Sequence, residues 1–260
     1  MITMEESTQS EKALVLGGGS TLAQYFKEIY PNNVVLVPKN ICNITNPQEI
    51  KSLLAHSSAQ YVINTAAITD MVQCETNPKE CMHINAEAVS TLSALCLKYD
   101  KKLIHISSNY AVNPTNVYGE SKRMSEKGVD PQFLIIRTSF FSEKTYAVKM
   151  LLSKKPVQAY KNLYFNPVSV VELVRSIWKY RTHKGLMNIF AQECVSYFEF
   201  ASMICKALRL DPEEYCIPTL YEKGAEVLQR SQNACIDTDI PIALNDDIAT
   251  FIQNTFHGLK

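Results

Sequence analysis

The sequence has no excess of charge of either sign and no long apolar run. Its 26 Lys and Arg residues are balanced by 26 Asp and Glu residues, so the formal net charge is zero. Nucleic-acid-binding domains usually carry a basic excess or a basic stripe, and the balance therefore argues against that class. No uninterrupted apolar segment reaches the roughly 18 residues that a membrane span needs, so we expect no association with a membrane.

Closely spaced cysteine pairs are also missing. None of the eight cysteines belongs to a Cys-x-x-Cys motif. They are Cys42, Cys74, Cys81, Cys96, Cys194, Cys205, Cys216 and Cys235. Structural zinc sites normally use short spacings, and disulfide frameworks belong mainly to short secreted chains. We therefore expect no metal site, and we predict reduced thiols in a cytoplasmic protein. Residues 1–11 are polar and lack an apolar signal-peptide core, so they are predicted to be a disordered tail.

The first half of the chain alternates short apolar runs with helical patterns. The predicted strands are Ala13–Leu16, Val34–Val37, Tyr61–Ile63, Leu103–Ile106 and Phe133–Ile136. The predicted helices are Thr21–Ile29, Pro47–Ala55, Pro78–Tyr99 and Tyr118–Glu126. Strands that are apolar throughout are buried on both faces, as in a parallel sheet covered by helices. The alternation predicts an α/β fold with a doubly wound, Rossmann-like parallel sheet, whose ligands bind at the carboxyl ends of the strands.

The second half is less regular. Its predicted elements are helices at 168–180, 196–208 and 240–256 and a strand at 186–190. Ser196 and Glu199 form the pattern of a capping box at the start of one helix. No linker or repeat divides the chain, so we predict a single domain over residues 12–260. Residues 12–140 would carry most of the ligand-binding strand ends, and parts of 141–260 would form a small C-terminal lobe that encloses a substrate.

Three of the eight glycines follow the first predicted strand directly. They are Gly17, Gly18 and Gly19, and Ser20 opens the next helix. Glycine permits positive φ angles and lets a phosphate approach the backbone, and a helix N-terminus adds oriented N–H groups. We interpret the segment as a dinucleotide phosphate site. A plain strand–helix turn remains the alternative, because a G-x-x-G-x-x-G spacing from Gly17 meets Ser20 and Ala23.

The end of the second strand bears on the choice of cofactor. Residues 34–43 contain no acidic residue, whereas an NAD-specific site usually has one here for the ribose 2′-hydroxyl. Lys39 is suited to meet a 2′-phosphate, which favours NADP over NAD. An ordinary surface lysine is the alternative. We interpret the domain as NAD(P)-binding, with NADP preferred.

Tyr118 and Lys122 are four residues apart at the start of a predicted helix and so share one helix face. A neighbouring ammonium favours the phenolate and lowers a tyrosine pKa that is normally about 10. Such a tyrosine can donate a proton to a carbonyl oxygen as a general acid. Ser107 and Ser108, at the end of the preceding strand, can hydrogen-bond the same carbonyl.

The spacing alone is not diagnostic, since Tyr180 and Lys184 match it as well. Position distinguishes the two pairs. Tyr180 lies late in the chain at a helix exit, whereas Tyr118 follows the strand expected beside the ligand cleft. We therefore predict that Tyr118 is the catalytic acid, with a pair of exposed polar residues as the alternative.

A series of motifs runs in order over nearly the whole chain. They are 14–23 (LVLGGGSTLA), 44–47 (ITNP), 62–70 (VINTAAITD), 74–75 with 85–86, 105–110 (HISSNY), 116–122 (NVYGESK), 136–141 (IRTSFF), 166–173 (NPVSVVEL), 185–190 with 197–201, and 229–237. Together they resemble the dTDP-4-dehydrorhamnose reductase family of the extended short-chain dehydrogenases/reductases. The resemblance implies an oxidoreductase of deoxysugar biosynthesis that reduces a nucleotide-linked 4-keto-6-deoxysugar with NADPH.

The resemblance also implies roles for individual residues. The catalytic residues would be Ser108, Tyr118 and Lys122. Lys39 and Ser107 are predicted to bind the cofactor from their positions after β-strands. With these two, the cofactor-binding residues would be Gly17, Gly19, Ser20, Thr21, Leu22, Lys39, Asn43, Ile44, Ala66, Ala67, Ser107, Tyr118 and Lys122. The substrate-binding residues would be Thr69, Ser108, Asn109, Tyr118 and Phe140.

Two departures from the family pattern keep alternatives open. Asn109 stands where the family has an aspartate, and the loop from Tyr110 to Val117 has only eight residues, fewer than the family usually carries. A non-catalytic NADP-binding regulatory protein on the same fold is therefore one alternative, and an epimerase or dehydratase that holds NAD is another. The expected partner is a nucleotide sugar, with a homodimer as an open alternative for assembly.

Overall fold

The computed structural model describes residues 11–222 and 229–256. Its strands are β1 (Ala13–Leu16), β2 (Val34–Val37), β3 (Tyr61–Asn64), β4 (Lys102–Ile106), β5 (Leu134–Thr138), β6 (Phe140–Phe141), β7 (Val157–Tyr160), β8 (Tyr164–Phe165), β9 (Val168–Ser169), β10 (Gly185–Ile189), β11 (Val195–Ser196) and β12 (Cys216–Thr219). Its α-helices are α1 (Thr21–Ile29), α2 (Pro47–His56), α3 (Met71–Thr76), α4 (Pro78–Met82), α5 (Ala88–Lys98), α6 (Val117–Gly128), α7 (Tyr146–Leu152), α8 (Val170–Lys179), α9 (Tyr197–Ala207), α10 (Pro212–Tyr215) and α11 (Leu244–Phe256).

A six-stranded sheet in the order β10-β5-β4-β3-β1-β2 is the centre of the fold. The pairs β1–β2, β1–β3, β3–β4 and β4–β5 are all parallel. Every residue of β1 and β3 is buried, as expected for strands with helices on both faces. The predicted fold class is confirmed, and the carboxyl ends of β1, β3 and β4 meet at one edge of the sheet.

Contacts along the chain divide the described residues into two compact units. The first runs up to Arg137 and includes Ile177–Met187; the second comprises Thr138–Ser176 and the residues from Asn188 onward. The predicted tail at 1–11 lies outside the described residues except for Glu11, which pairs with Arg181 in the first unit. None of the helices in the described part of the chain is both long and apolar enough to cross a bilayer.

The long helix predicted at Pro78–Tyr99 differs from the structure in one respect. Between α4 and α5 the backbone forms a π-helical turn at His83–Glu87. A π turn inserts one extra residue into a helix, and the apolar period of 3.6 does not reveal it. The short helix α3 precedes this segment and has no counterpart among the predicted elements.

The second unit is built on short strand pairs that the sequence did not predict. They are β6 with β9, β7 with β12, and β8 with β11. Around them the rings of Phe141, Phe165, Phe200 and Phe251 pack edge to face, at centroid distances of 5.1–5.4 Å. The capping box of α9 is confirmed, since Ser196 and Glu199 exchange hydrogen bonds of 3.1 and 2.7 Å.

The prediction that all eight cysteines are reduced is wrong for two of them. Cys194 and Cys235 form a disulfide across 41 residues, with their Cα atoms 5.7 Å apart. Strand β8 brings them together, because Ser196 pairs with Tyr164 and Tyr164 also bridges to Asn233. The sequence spacing contains no sign of this pairing. The other six cysteines are free and buried.

We predict that replacing both Cys194 and Cys235 by serine lowers the free energy of unfolding. The bond closes a loop of 41 residues, and restricting the unfolded chain in this way contributes up to about 4 kcal/mol. Urea unfolding without reductant measures the difference. Dithiothreitol should bring the unmodified chain to the value of the variant and leave the variant unchanged; equal stabilities under oxidising conditions would contradict the prediction.

Candidate active site

The turn that follows β1 is held by a close backbone approach. Gly17 has a φ of 75°, a region that residues with a Cβ rarely adopt. A Cβ at Gly17 would lie 2.7 Å from the backbone N and Cα of Ala66, just beyond β3. The N–H of Gly18 donates to the carbonyl of Val37 at the end of β2 over 3.1 Å. The glycine turn is therefore fitted between the ends of the two neighbouring strands.

The first turn of α1 presents backbone N–H groups. Ser20 is the N-cap, and its hydroxyl accepts from the N–H of Ala23 at 3.1 Å. The N–H groups of Thr21 and Leu22, in the same turn, have no acceptor within the helix. A Cβ built at Gly19 would meet no atom within 4 Å, so space is open beside this turn. Open space beside unpaired helical N–H groups is the arrangement that binds a phosphate, and it fits the pyrophosphate of a dinucleotide.

Thr65 supports this turn, although the sequence pattern did not single it out. Its hydroxyl donates to the carbonyl of Leu16 at 2.7 Å, and it lies 2.8 Å from the hydroxyl of Ser20. Thr65 thus ties the end of β3 to both sides of the glycine turn. The neighbouring Ala67 is half-buried.

The residues predicted near the adenosine end lie beyond β2. Lys39 is exposed in the turn that follows the strand. The N–H of Asn43 donates to Glu49 at 2.7 Å, its side chain accepts from Thr45 at 3.2 Å, and Ile44 is buried. Asn43 therefore shapes this loop through its own amide, and the contact that holds the glycine turn to the end of β2 keeps the loop near that turn.

Ser108 and Tyr118 come together at the carboxyl end of β4. The serine is buried and caps the 3₁₀ turn Asn109–Ala111, where its hydroxyl accepts from the N–H of Tyr110 at 3.3 Å. Burial has the larger effect on the pKa of the Tyr118 phenol and raises it, and the side-chain hydrogen bond between Ser108 and Tyr118 lowers it. The chain therefore brings together the predicted acid and the predicted serine.

The expectation that Lys122 lowers the pKa of Tyr118 is not met. Burial is the largest effect on the phenol and, against the opposing effect of Ser108, raises the pKa of Tyr118 to about 12. The ammonium of Lys122 instead donates to the carbonyl of Ile106, at 2.6 Å. Tyr118 is consequently a phenol and not a phenolate at neutral pH, the form that a general acid requires.

Lys122 is buried, with 3% of its surface exposed. Burial disfavours the charged form of an amine and is the largest effect on this one; with Glu126 acting in the opposite direction, the pKa of Lys122 falls to about 8. The same ammonium and, above all, burial hold the pKa of His105 well below its usual value. His105 is therefore neutral beside a charged lysine.

Three consecutive residues attach the end of β4 to α6. His105 Nε2 lies 2.9 Å from the hydroxyl of Ser125, Ile106 accepts from Lys122, and the Ser107 hydroxyl donates to Glu126 at 2.5 Å. Ser107 was predicted to bind the reacting carbonyl or the cofactor. Its hydroxyl is committed here to a carboxylate, so Ser107 contributes to the attachment of the helix.

Asn85, in the π-helical turn, supports the site from the other side of α6. Its amide accepts from the N–H of Ile68 at 2.8 Å and donates to the Ile68 carbonyl at 2.9 Å and to the Ser121 hydroxyl at 3.0 Å. The loop after β3 and helix α6 are thereby held to one side chain. A buried amide within an apolar helical pattern was the available sign of this role.

The remaining predicted residues are located as follows. Asn109 is buried, and its side chain accepts from Ser108 at 3.1 Å. Thr69 is exposed after β3. Phe140 belongs to the second unit, with 36% of its surface exposed.

The competing Tyr180 lies just beyond the end of α8, so it shares no helix face with Lys184.

The eight-residue loop at 110–117 packs tightly onto α6. A Cβ at Gly119 would lie 2.7 Å from the carbonyl oxygen of Tyr110 and 3.1 Å from Pro114. The Tyr110 ring stands edge-on to the Tyr118 ring at a centroid distance of 6.0 Å. The N–H of Val117 donates to Glu75 at 2.7 Å. The short loop therefore packs closely against the start of α6, beside Tyr118.

We predict that Lys122→Met stabilises the fold at neutral pH. Because the folded pKa of about 8 lies below the ordinary 10.5, folding favours the uncharged amine, and the charged amine costs up to about 3 kcal/mol below pH 8. The cost fades as the pH rises from about 8 to 10.5. The difference in free energy of unfolding between the variant and the unmodified chain should therefore be largest at pH 7 and shrink toward pH 10.

Urea unfolding at several pH values measures this difference. The matched control is Lys127→Met on the exposed face of the same helix, which should change the free energy little at any pH. A Lys122→Met variant with a pH-independent loss of stability would contradict the expectation.

Comparison with known proteins places these features in a family. The chain matches the family described as the RmlD substrate binding domain over residues 11–240. Among characterised relatives, the dTDP-4-dehydrorhamnose reductase of Aggregatibacter actinomycetemcomitans is 23% identical, with 87% of this chain and 90% of the relative aligned. The spore coat polysaccharide biosynthesis protein SpsK of Bacillus subtilis is also 23% identical, over 77% of this chain and 80% of the relative.

A solved structure supports the same assignment of fold. The crystal structure of dTDP-4-dehydrorhamnose reductase from Bacillus anthracis in complex with NADP superimposes with a TM-score of 0.86 at 18% identity. The match covers 94% of this chain and 99% of that one. With a family match across 11–240 and this agreement in fold, the chain belongs to the RmlD substrate binding domain family.

Proposed function

We propose that this protein reduces the 4-keto group of a nucleotide-linked 4-keto-6-deoxysugar with NADPH. The observation that carries the proposal is the side-chain hydrogen bond between Ser108, beyond the end of β4, and Tyr118 on α6, the helix whose next turn carries the buried Lys122. A protonated phenol at this position suits a reductase, which must deliver a proton to an oxygen. The dTDP-4-dehydrorhamnose reductases among the relatives support the choice of substrate class.

Residues around the glycine turn would hold the cofactor. The N–H groups of Thr21 and Leu22 and the open space beside Gly19 suit the pyrophosphate. Lys39, exposed after β2, suits the 2′-phosphate of NADP, and the NADP complex of the Bacillus anthracis relative supports this preference over NAD. Ala66 and Ala67 would border the nicotinamide half. When bound, NADPH supplies the hydride.

Side chains of this protein would supply the proton for the substrate carbonyl oxygen and surround the charge that this transfer leaves behind. Tyr118 donates its proton to the substrate carbonyl oxygen, while Ser108 hydrogen-bonds the same oxygen and orients it. A phenolate formed on Tyr118 during the reaction would lie on the same face of α6 as the Lys122 ammonium, one helical turn away. Proton transfer from a positioned acid of this kind contributes about 10²–10⁴-fold in rate.

Two predicted substrate-binding residues lie at the same edge of the sheet as Ser108. Thr69 and Asn109 lie beyond the ends of β3 and β4, where a sugar next to Tyr118 would be in reach. Phe140 stays a predicted substrate-binding residue of the second unit. The short loop at 110–117 supports a second candidate, a protein that binds NADP without turnover, because it packs tightly beside Tyr118. An epimerase or dehydratase using NAD is the remaining alternative.

We predict that Gly19→Ala weakens NADPH binding roughly tenfold or more without unfolding the protein. The added Cβ has no neighbour within 4 Å in the chain but would enter the space proposed for the pyrophosphate. Fluorescence titration with NADPH measures affinity, and urea unfolding measures stability.

Gly17→Ala provides the structural comparison for this test. Its Cβ would clash with the Ala66 backbone at 2.7 Å, and its φ is 75°, so this variant should lose stability whether or not NADPH binds. Unchanged NADPH affinity in Gly19→Ala, or no NADPH-induced thermal shift in the unmodified chain, would count against a cofactor at this turn.

We predict that Tyr118→Phe lowers carbonyl-dependent NADPH oxidation by at least about 100-fold and leaves the affinity for NADPH nearly unchanged. Phenylalanine keeps the ring and removes only the proton donor. The assay follows NADPH absorbance with a panel of nucleotide-linked 4-keto-6-deoxysugars. Tyr110→Phe, on the neighbouring ring, is the matched control and should retain most of the activity.

The same panel separates the candidate functions. Turnover that disappears in Tyr118→Phe supports the reductase. NADPH binding by the unmodified chain without turnover of any sugar in the panel would instead favour the non-catalytic binder. Redox-neutral conversion of a nucleotide sugar with bound NAD would favour the epimerase or dehydratase.

A further inference from the structure

A buried carboxylate lies one helical turn beyond Lys122. Tyr118, Lys122 and Glu126 follow each other at intervals of four residues and so share one face of α6. The side chain of Glu126 is only 8% exposed. A carboxylate is rarely buried without a paired charge, so its partners indicate what it does.

Both carboxylate oxygens of Glu126 are held from the sheet. Oε1 accepts from Arg137 Nε at 2.9 Å and from the Ser107 hydroxyl at 2.5 Å, and Oε2 accepts from Arg137 Nη2 at 2.6 Å. Arg137 belongs to β5, and Ser107 follows β4, its paired neighbour. A two-pronged arginine contact fixes the orientation of a carboxylate as well as its position. Glu126 is therefore fixed relative to the sheet.

The buried ammonium of Lys122 needs nearby polar or negatively charged groups to stabilise its charge. Its ammonium is buried and donates to a neutral carbonyl, that of Ile106, which only partly replaces the water it has lost. The titratable or charged groups that act on Lys122 are Glu126, Cys74 and Cys81, and Lys122 in turn acts on His105. Burial raises the pKa of the Cys74 thiol and the Tyr118 phenol and lowers that of His105, so these three groups are uncharged at neutral pH. Glu126 is the carboxylate of the set, and it raises the pKa of Lys122.

We propose that Glu126 is a positioning residue for the reaction: held by Arg137 and Ser107, its carboxylate keeps the Lys122 ammonium charged and directed at the Ile106 carbonyl. Through Lys122 it maintains a positive charge on the face of α6 that carries Tyr118. The kinetic part of this inference rests on the proposed reductase function. The charge state of Lys122 can be followed without any substrate.

The test compares Glu126→Gln with Glu120→Gln. Both remove one negative charge from α6, but Glu120 pairs with Arg123 on the solvent face at 2.8 Å, where the two side chains are 40% and 44% exposed. The pKa of Lys122 is measured by NMR of the full chain with labelled lysine side chains, and Lys122→Arg assigns the signal. In Glu126→Gln the titration midpoint should fall below the starting value of about 8 by about half a pH unit or more.

Lys122 is an amine, so protonation gives it a positive charge. Lys122 is charged below its midpoint, so a lower midpoint means that the charge is lost at a lower pH. The alkaline limb of the kcat/KM profile should shift in the same direction in Glu126→Gln. Glu120→Gln should leave both the midpoint and the profile unchanged.

Two results overturn the inference: an unchanged Lys122 midpoint in Glu126→Gln, or an equal shift in Glu120→Gln. If Glu126→Gln does not fold, Glu126→Asp serves instead, because it keeps the charge but withdraws it from Lys122 and should produce a smaller lowering; no lowering again overturns the inference. If the unmodified chain turns over no sugar, the proposed function fails while the NMR midpoint still decides the role of Glu126.

Discussion

The docking of α6 onto the end of β4 is the constraint on which the site depends. Its centre is the hydrogen bond from the buried Lys122 ammonium to the carbonyl of Ile106. The residues on either side of Ile106 contact the same helix through Ser125 and Glu126. The chain therefore leaves the sheet in a fixed direction. As a result Ser108, two residues after Ile106, lies next to the Tyr118 phenol.

A buried cation is costly, and the surrounding polar groups determine whether the protein tolerates it. Here the groups are divided into a charged set, Lys122, Glu126 and Arg137, and a neutral set that includes His105 and the Tyr118 phenol. The same loss of water moves the two key pKa values apart, to about 12 for Tyr118 and about 8 for Lys122. Such separation within one site is how environments assign a proton donor and a charge carrier.

Much of the first unit could be predicted from the sequence, because its signals are local. The bounds of β1, β2 and α1 match their predicted ranges, since each is a short apolar run or an amphipathic helix bounded by turn residues. The glycine turn lies at the end of β1 and Tyr118 at the start of α6, the positions that the sequence predicted for them. Local sequence patterns were sufficient to predict a strand or helix wherever residues within that element stabilise it.

The rest depends on partners that are distant in the chain. The two-residue strands β6, β8, β9 and β11 exist only as pairs, so no pattern within them marks a strand. The Cys194–Cys235 bond needs β8 to align its two ends, and Ser107 could not be separated from a substrate-binding role without knowing where Glu126 and Arg137 lie. The electrostatics of Tyr118 were mispredicted for the same reason, because burial depends on everything packed around the ring.

The π-helical turn at His83–Glu87 has a consequence for how this helix tolerates deletions. Each residue of a helix advances it by about 100°, and a π turn is equivalent to one extra residue. Losing a single residue here would restore regular α-helix and leave α5 intact, but it would change the helical phase of Asn85 relative to Ser121 and Ile68. The deletion would leave the helix intact but would move Asn85 away from its hydrogen-bond partners Ser121 and Ile68.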